Sequence, residues 1–190
     1  MNDKTVLILH RKSANEPAVK EAIKTIWREG HKMRVLVPFN KKEKPRIVKE
    51  ALKRGAKRII AGGGDGTINA VTNALVGKGK SKPDVTLGIC PLGTANDFAR
   101  GCGLPTDDLT ECLRIACMKK GRKIDVGVLN GRSFVNVASA GFGAEITATT
   151  PVEIPPAIHV GGDSECSPSA PPSGTVVHTG RDTSESAGCR

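Results

Sequence analysis

Aromatic side chains are scarce: the 190 residues include no tyrosine, one tryptophan and four phenylalanines. Platforms that stack the bases of single-stranded nucleic acid are built from such side chains, so no specific nucleic-acid partner is expected. No apolar run approaches the roughly 20 residues needed to cross a bilayer. The start, Met1-Asn2-Asp3-Lys4 before Thr5-Val6-Leu7-Ile8-Leu9, is too short and wrongly flanked for a secretory signal. A cytoplasmic protein is expected. Cysteines stand at 90, 102, 112, 117, 166 and 189, with no Cys-x-x-Cys pair and no histidine placed to complete a zinc site. Free thiols are the expectation, with Cys112 and Cys117 packed on a helix face.

Positive charge, by contrast, is plentiful. The net charge is +10. Residues 154–190 hold two basic and four acidic groups, and residues 1–153 hold 27 basic against 15 acidic. Such a surplus favours polyanions, whether nucleotide phosphates, nucleic acid or anionic lipid, and does not choose among them. Lys41, Lys42, Lys44, Arg46, Lys53 and Arg54 read either as a membrane-facing patch or as a solvated helix face.

The first 150 residues alternate between strand and helix patterns. Val6–Leu9, Met33–Val37, Arg58–Ala61 and Val85–Cys90 are short apolar runs of the kind buried on both faces of a parallel sheet. Between them, Asn15 can cap a helix with Pro17 in its first turn, Val19, Ile23, Ile26 and Trp27 on one face, and Gly30 beyond its end. A basic helix places Ile47, Val48, Ala51 and Leu52 inward and stops at Gly55. Ile68, Val71, Leu75 and Val76 mark another, ending at Gly77. Thr106–Lys120 has helix spacing. Lys123–Leu129 and Ser133–Ala138 flank Asn130-Gly131, a hairpin signal. The order predicts an α/β fold with a doubly wound, mostly parallel sheet. Residues 154–190 are Pro, Ser, Gly or Thr at 19 of 37 positions and lack apolar periodicity. They read as a disordered tail or as sequence from a shifted reading frame.

The informative segment is Ala61-Gly62-Gly63-Gly64-Asp65-Gly66-Thr67-Ile68-Asn69, between a strand and a helix. Successive glycines let backbone amides approach an anion, and the following helix aims its positive end into the same space. No lysine follows the glycines, as a P-loop requires, and the Gly-x-Gly-x-x-Gly fingerprint is incomplete. Asp65 beside a phosphate makes sense if it holds Mg²⁺ or accepts a proton from an attacking hydroxyl, and otherwise as the cap of the helix it begins. Pro91-Leu92-Gly93-Thr94-Ala95-Asn96-Asp97-Phe98-Ala99 also follows a strand, so a parallel sheet brings both loops to one edge. There Thr94 can donate to a phosphate oxygen, and Asn96 and Asp97 can fix the loop. An ordinary polar helix start is the alternative.

Together the two segments resemble the diacylglycerol-kinase catalytic family, and within it bacterial YegS-like lipid kinases. The similarity runs from about Val6 to Pro151 and includes Phe134-Val135-Asn136-Val137-Ala138 and Gly141-Phe142-Gly143. The resemblance implies an ATP-binding α/β domain at residues 1–153 and transfer of the γ-phosphate of ATP to a lipid hydroxyl of diacylglycerol or phosphatidylglycerol type, with Mg²⁺, at the inner membrane surface. It carries the nucleotide site onto Pro38, Gly64, Asp65, Gly66, Thr67, Ile68, Asn69, Ala70 and Thr94, with Gly93, Asn96 and Asp97 as a supporting loop. Asp65 is the candidate catalytic and metal-associated residue. Pro38 replaces a hydroxyl residue, Ala70 a usually acidic one, and His10 a common asparagine. The family continues into a β-rich second domain that supplies further acidic groups, and residues 154–190 do not resemble it. The expectation is an incomplete copy of the domain. The alternatives are a Mg-ATP-binding fragment without catalysis or a basic nucleic-acid-binding domain.

Overall fold

Four parallel strands form the centre of the protein in the order β2-β1-β3-β4: β1 (Thr5–Leu9), β2 (Arg34–Leu36), β3 (Arg58–Gly63) and β4 (Thr86–Pro91). The computed structural model describes residues 4–40, 42–76, 85–129, 132–136 and 177–178. All of these belong to one unit, residues 1–136 with 173–190. Helices α1 (Pro17–Arg28), α2 (Glu43–Lys53), α3 (Asp65–Val76), α4 (Asp97–Gly101) and α5 (Leu109–Met118) connect or follow the strands.

The strands are apolar throughout because both faces are covered. Val6 and Ile8 of β1 join Ile59, Ala61, Leu87 and Ile89 in a core against Val48 and Ala51 of α2 and Ile68 and Val71 of α3. Leu7 and Leu9 point the other way, with Ile60, Cys90, Val19 and Ile26 of α1, and Leu113 of α5. This is the doubly wound arrangement expected from the alternating pattern. Gly88 lets α5 lie close, since a Cβ there would stand 3.0 Å from both Ala116 Cβ and Ile60 Cγ1. Trp27, assigned to the inner face of α1, is 37% exposed at its margin.

Several boundaries move, each for a local reason. Gly62 and Gly63 belong to β3 rather than to the turn, because pairing with Leu9 on one side and with Cys90 and Pro91 on the other extends the ladder through them. Asn15 does not cap α1. It ends a short 3₁₀ turn, Ser13–Asn15, and Glu16 takes the cap position with φ −65° and ψ 128°. Extended backbone is what a residue before proline prefers. Helix α5 starts at Leu109, not Thr106, because Asp108 accepts from the Glu111 amide at 2.9 Å. Gly30 and Gly55, at φ 89° and 83°, stop α1 and α2 as predicted.

Beyond β4 the pattern is antiparallel or fragmentary. β5 is Arg122–Lys123, and β6 (Gly127–Leu129) pairs antiparallel with β7 (Arg132–Phe134) with Leu129 opposite Arg132, as a two-residue hairpin requires. β8 (Val177–His178) lies between β4 and β5, an arrangement that the composition of residues 154–190 does not suggest. The rest of that segment, Gly77, Asn130-Gly131, Val137-Ala138 and Gly141-Phe142-Gly143 lie outside the described residues.

Candidate functional site

Strand order reverses between β1 and β3, and the crevice above that point is where open parallel sheets bind ligands. A cleft of about 530 Å³ occupies it. Gly64 lines it from the β3–α3 turn, Gly66, Thr67 and Ala70 from the start of α3, Leu92 and Gly93 from the β4–α4 loop, and His10, Ser13 and Glu16 from the chain after β1.

The two glycine loops touch. A Cβ on Gly93 would lie 2.5 Å from Gly64 Cα, and one on Gly64 would lie 3.0 Å from Gly93 Cα. Only glycine allows this backbone approach at Gly93. A Cβ on Gly63 would strike Thr67 Oγ1 at 2.6 Å, so glycine is required behind the turn as well. Gly66 has open space around it.

Asn96 fixes the second loop. It is buried, takes left-handed backbone at φ 53°, accepts from the Gly93 amide through Oδ1 at 2.8 Å and donates through Nδ2 to the Gly93 carbonyl at 2.8 Å. Asp65 joins the loops. Its Oδ1 accepts from the Phe98 amide at 3.0 Å and its Oδ2 from the Asp97 amide at 3.2 Å. It therefore caps a helix, but α4 rather than the α3 it begins.

The other expected residues separate into two groups. Gly64, Gly66, Thr67, Ala70 and Gly93 line the cleft together. Pro38 is buried at the end of β2, and Ile68 is fully buried in the core, so its side chain belongs to packing. Asn69 and Thr94 are exposed, and the Asn69 carbonyl accepts from Asn73 Nδ2 at 3.0 Å. Asn73, unremarked in the sequence, also accepts from the Ser133 amide at 2.8 Å and donates to the Ser133 carbonyl, which ties β7 to α3.

Lys44 is the other residue that sequence reasoning misplaced. Read as part of a membrane-facing patch or a solvated helix face, it is 7% exposed, lines the cleft, and donates from Nζ to Thr67 Oγ1 at 3.2 Å. Its position was readable: Lys44, Val48 and Ala51 fall at i, i+4 and i+7, the buried stripe of α2. His10, whose Nδ1 accepts from the Lys12 amide at 3.3 Å, has its pKa lowered from the ordinary histidine value, first by burial and then by Lys44 and Lys12.

The cradle of Gly64, Gly66 and Thr67 suits an anionic group such as a nucleotide phosphate. It does not form a metal centre. No group of three or more His, Cys, Asp or Glu residues able to hold a metal occurs among the described residues, and both Asp65 oxygens are bonded to backbone amides. Divalent metal fits this part of the site only as a companion of a bound nucleotide.

Comparisons with known proteins agree with this geometry. Residues 4–129 match the diacylglycerol kinase catalytic domain. The chain is 45% identical over 150 residues to “Probable lipid kinase YegS-like” of Chromohalobacter salexigens, covering 79% of this chain and 48% of the relative. It is 43% identical over 155 residues to the protein of the same name in Klebsiella pneumoniae, covering 81% and 51%. The chain thus spans about half the length of the curated relatives it matches. Among solved structures it resembles “A putative diacylglycerol kinase from Bacillus anthracis str. Sterne”, with a TM-score of 0.61 and 26% identity, over 70% of this chain and 45% of that one. With the sheet order, the paired glycine loops and a match over most of the described residues, the chain belongs to the diacylglycerol kinase catalytic domain family.

Proposed function

We propose that this chain is the nucleotide-binding part of an ATP-dependent lipid kinase, with Mg-ATP as donor and a membrane lipid hydroxyl as acceptor. The observation that carries this reading is the backbone contact of Gly64 with Gly93 above the β1–β3 reversal, which makes one anion cradle from two loops. Phosphoryl transfer asks mainly for positioning and charge stabilisation. The amides at the start of α3, Gly64 to Gly66, hold phosphate oxygens, the Thr67 side chain and the Thr94 hydroxyl add to them, and Pro38 serves only in packing beyond β2. Magnesium arrives with the nucleotide and neutralises charge on its phosphates.

In the reaction the lipid hydroxyl oxygen bonds to the γ-phosphorus, the bond to the β,γ-bridging oxygen breaks, and the hydroxyl proton passes to a base. Each Asp65 oxygen accepts one amide bond from the start of α4 and keeps a second lone pair, with which the carboxylate can take that proton or approach the metal. The acceptor in this reading is met at the lipid surface; no helix among the described residues is long and apolar enough to cross a membrane.

The test is transfer from γ-labelled ATP to vesicles containing diacylglycerol or phosphatidylglycerol. Label in lipid that disappears with Asp65→Ala supports the reading. Label that survives Asp65→Ala removes Asp65 from the essential groups. Because the chain spans about half of its relatives, a second reading is ATP binding without transfer. It gives saturable Mg-ATP binding and no labelled lipid.

A further inference from the structure

The sequence supplies no lysine after its glycine turn, but the fold brings one. Lys44 lies 23 positions before Thr67 in the chain, yet its ammonium reaches the hydroxyl of Thr67 in the first turn of α3. It is the only buried charged side chain among the described residues. We propose that Lys44 is a phosphate-binding lysine of this cleft, which with Thr67 holds a β- or γ-phosphate oxygen of the bound nucleotide. This rests on the nucleotide reading above and adds a ligand to it.

Lys44 enters the cleft from the first turn of α2. Here the position is built rather than incidental. Asn40 Oδ1 accepts from the amides of Lys42 and Glu43 at 2.9 and 3.1 Å, and Glu43 Oε2 accepts from the Phe39 amide at 2.8 Å. The first turn of α2, which carries Lys44, is thereby capped by the loop before it. Val48 and Ala51 anchor the same face one and two turns on. Glu16 faces the opening from the side of β1, with His10 and Lys12 beside it.

Lysine binds phosphate as a compact point charge. A P-loop places that charge and a hydroxyl on one continuous segment. Lys44 and Thr67 bring the same pair of groups together from α2 and α3.

The experiment compares binding of ATP, tripolyphosphate and adenosine to the wild-type chain and to Lys44→Met, Lys44→Arg and Lys53→Met. Lys53, exposed near the end of the same helix, controls for net charge. The expected result is at least a tenfold loss of affinity for ATP and tripolyphosphate in Lys44→Met, with adenosine and Lys53→Met unchanged. If Lys44→Met does not fold, the ¹³Cε resonance of Lys44 in lysine-labelled wild-type protein, assigned through Lys44→Arg, is followed instead. It must move with tripolyphosphate saturation while Lys53 stays. Unchanged binding in Lys44→Met, or a Lys44 resonance that stays put while ligand binds, overturns the proposal and leaves the nucleotide reading intact. Lys44-dependent binding of tripolyphosphate with no binding of ATP overturns the nucleotide reading and keeps the phosphate site. Binding of neither compound overturns both.

Discussion

Asn96 does three jobs with one side chain. It adopts left-handed backbone, accepts from the Gly93 amide and donates to the Gly93 carbonyl. Asn96→Ala loses both bonds and sets a Cβ-bearing residue at φ 53°. The expected cost is about 2 kcal/mol, the order for orphaning buried polar groups. Asn96→Gly tolerates the backbone and recovers part of that loss, and urea unfolding of the two variants separates torsion from hydrogen bonding. The thiols give a second residue-level prediction. Burial pushes Cys112 up to about 12 and Cys117 to about 11, and raises Cys90 well above the ordinary thiol value. Since the thiolate is the nucleophile, these three resist alkylation at pH 8 in the folded protein and react once it is unfolded in urea. Peptide mass mapping reads the difference.

At the scale of elements, the legible parts were those where one face decides the structure. The run Val6-Leu7-Ile8-Leu9 could only be a strand covered on both sides, and α1, α2 and α3 announce themselves by apolar spacing and by stops at Gly30 and Gly55. The parts that were not legible depend on partners distant in sequence. Gly62 and Gly63 look like a turn until strands on either side extend the ladder through them. Helix α4, five residues long, has too little periodicity to be read and is capped by Asp65 from 32 positions away. The candidate site divides the same way: Gly64, Gly66, Thr67 and Gly93 were found from motif chemistry, whereas Lys44 was hidden among neighbouring surface lysines. Helix α5 depends on another remote contact. Arg58 at the start of β3 donates to the carbonyls of Ala116 and Lys119 at 2.8 and 3.1 Å, serving as its C-terminal cap. Arg58→Met keeps the aliphatic stem and removes both bonds. The expected loss is about 1 kcal/mol, seen as a lower urea midpoint, with faster hydrogen exchange in the last turn of α5.

For the whole molecule, charge is the dominant property, and the cleft concentrates part of it. His10 has a folded pKa below 6.5, through burial first and then Lys44 and Lys12. Between that pKa and 6.5 the unfolded chain binds more protons than the folded one, so stability rises with pH across the window. The contribution is complete above 6.5 and is lost as pH falls through the folded pKa. Urea midpoints should fall on acidification in this range, and His10→Asn should flatten that part of the profile. Of the six basic residues read as a surface patch, Lys41 is outside the described residues and Lys44 is in the cleft. Arg54 is paired with Glu50 at 2.9 Å, and Lys42, Arg46 and Lys53 are exposed. Any attraction to anionic lipid through this helix therefore rests on fewer charges than the sequence counts.

The contact of Gly64 with Gly93 has a consequence for how such a protein can vary. Two segments that meet main chain to main chain share one set of tolerated changes, since neither can gain a side chain or an inserted residue without displacing the other. A substitution in one loop is then judged against the state of its neighbour, and paired changes become accessible where single ones are not. In a saturation library the two positions should show strong mutual epistasis, whereas Gly66, with open space around it, should tolerate small residues independently of both.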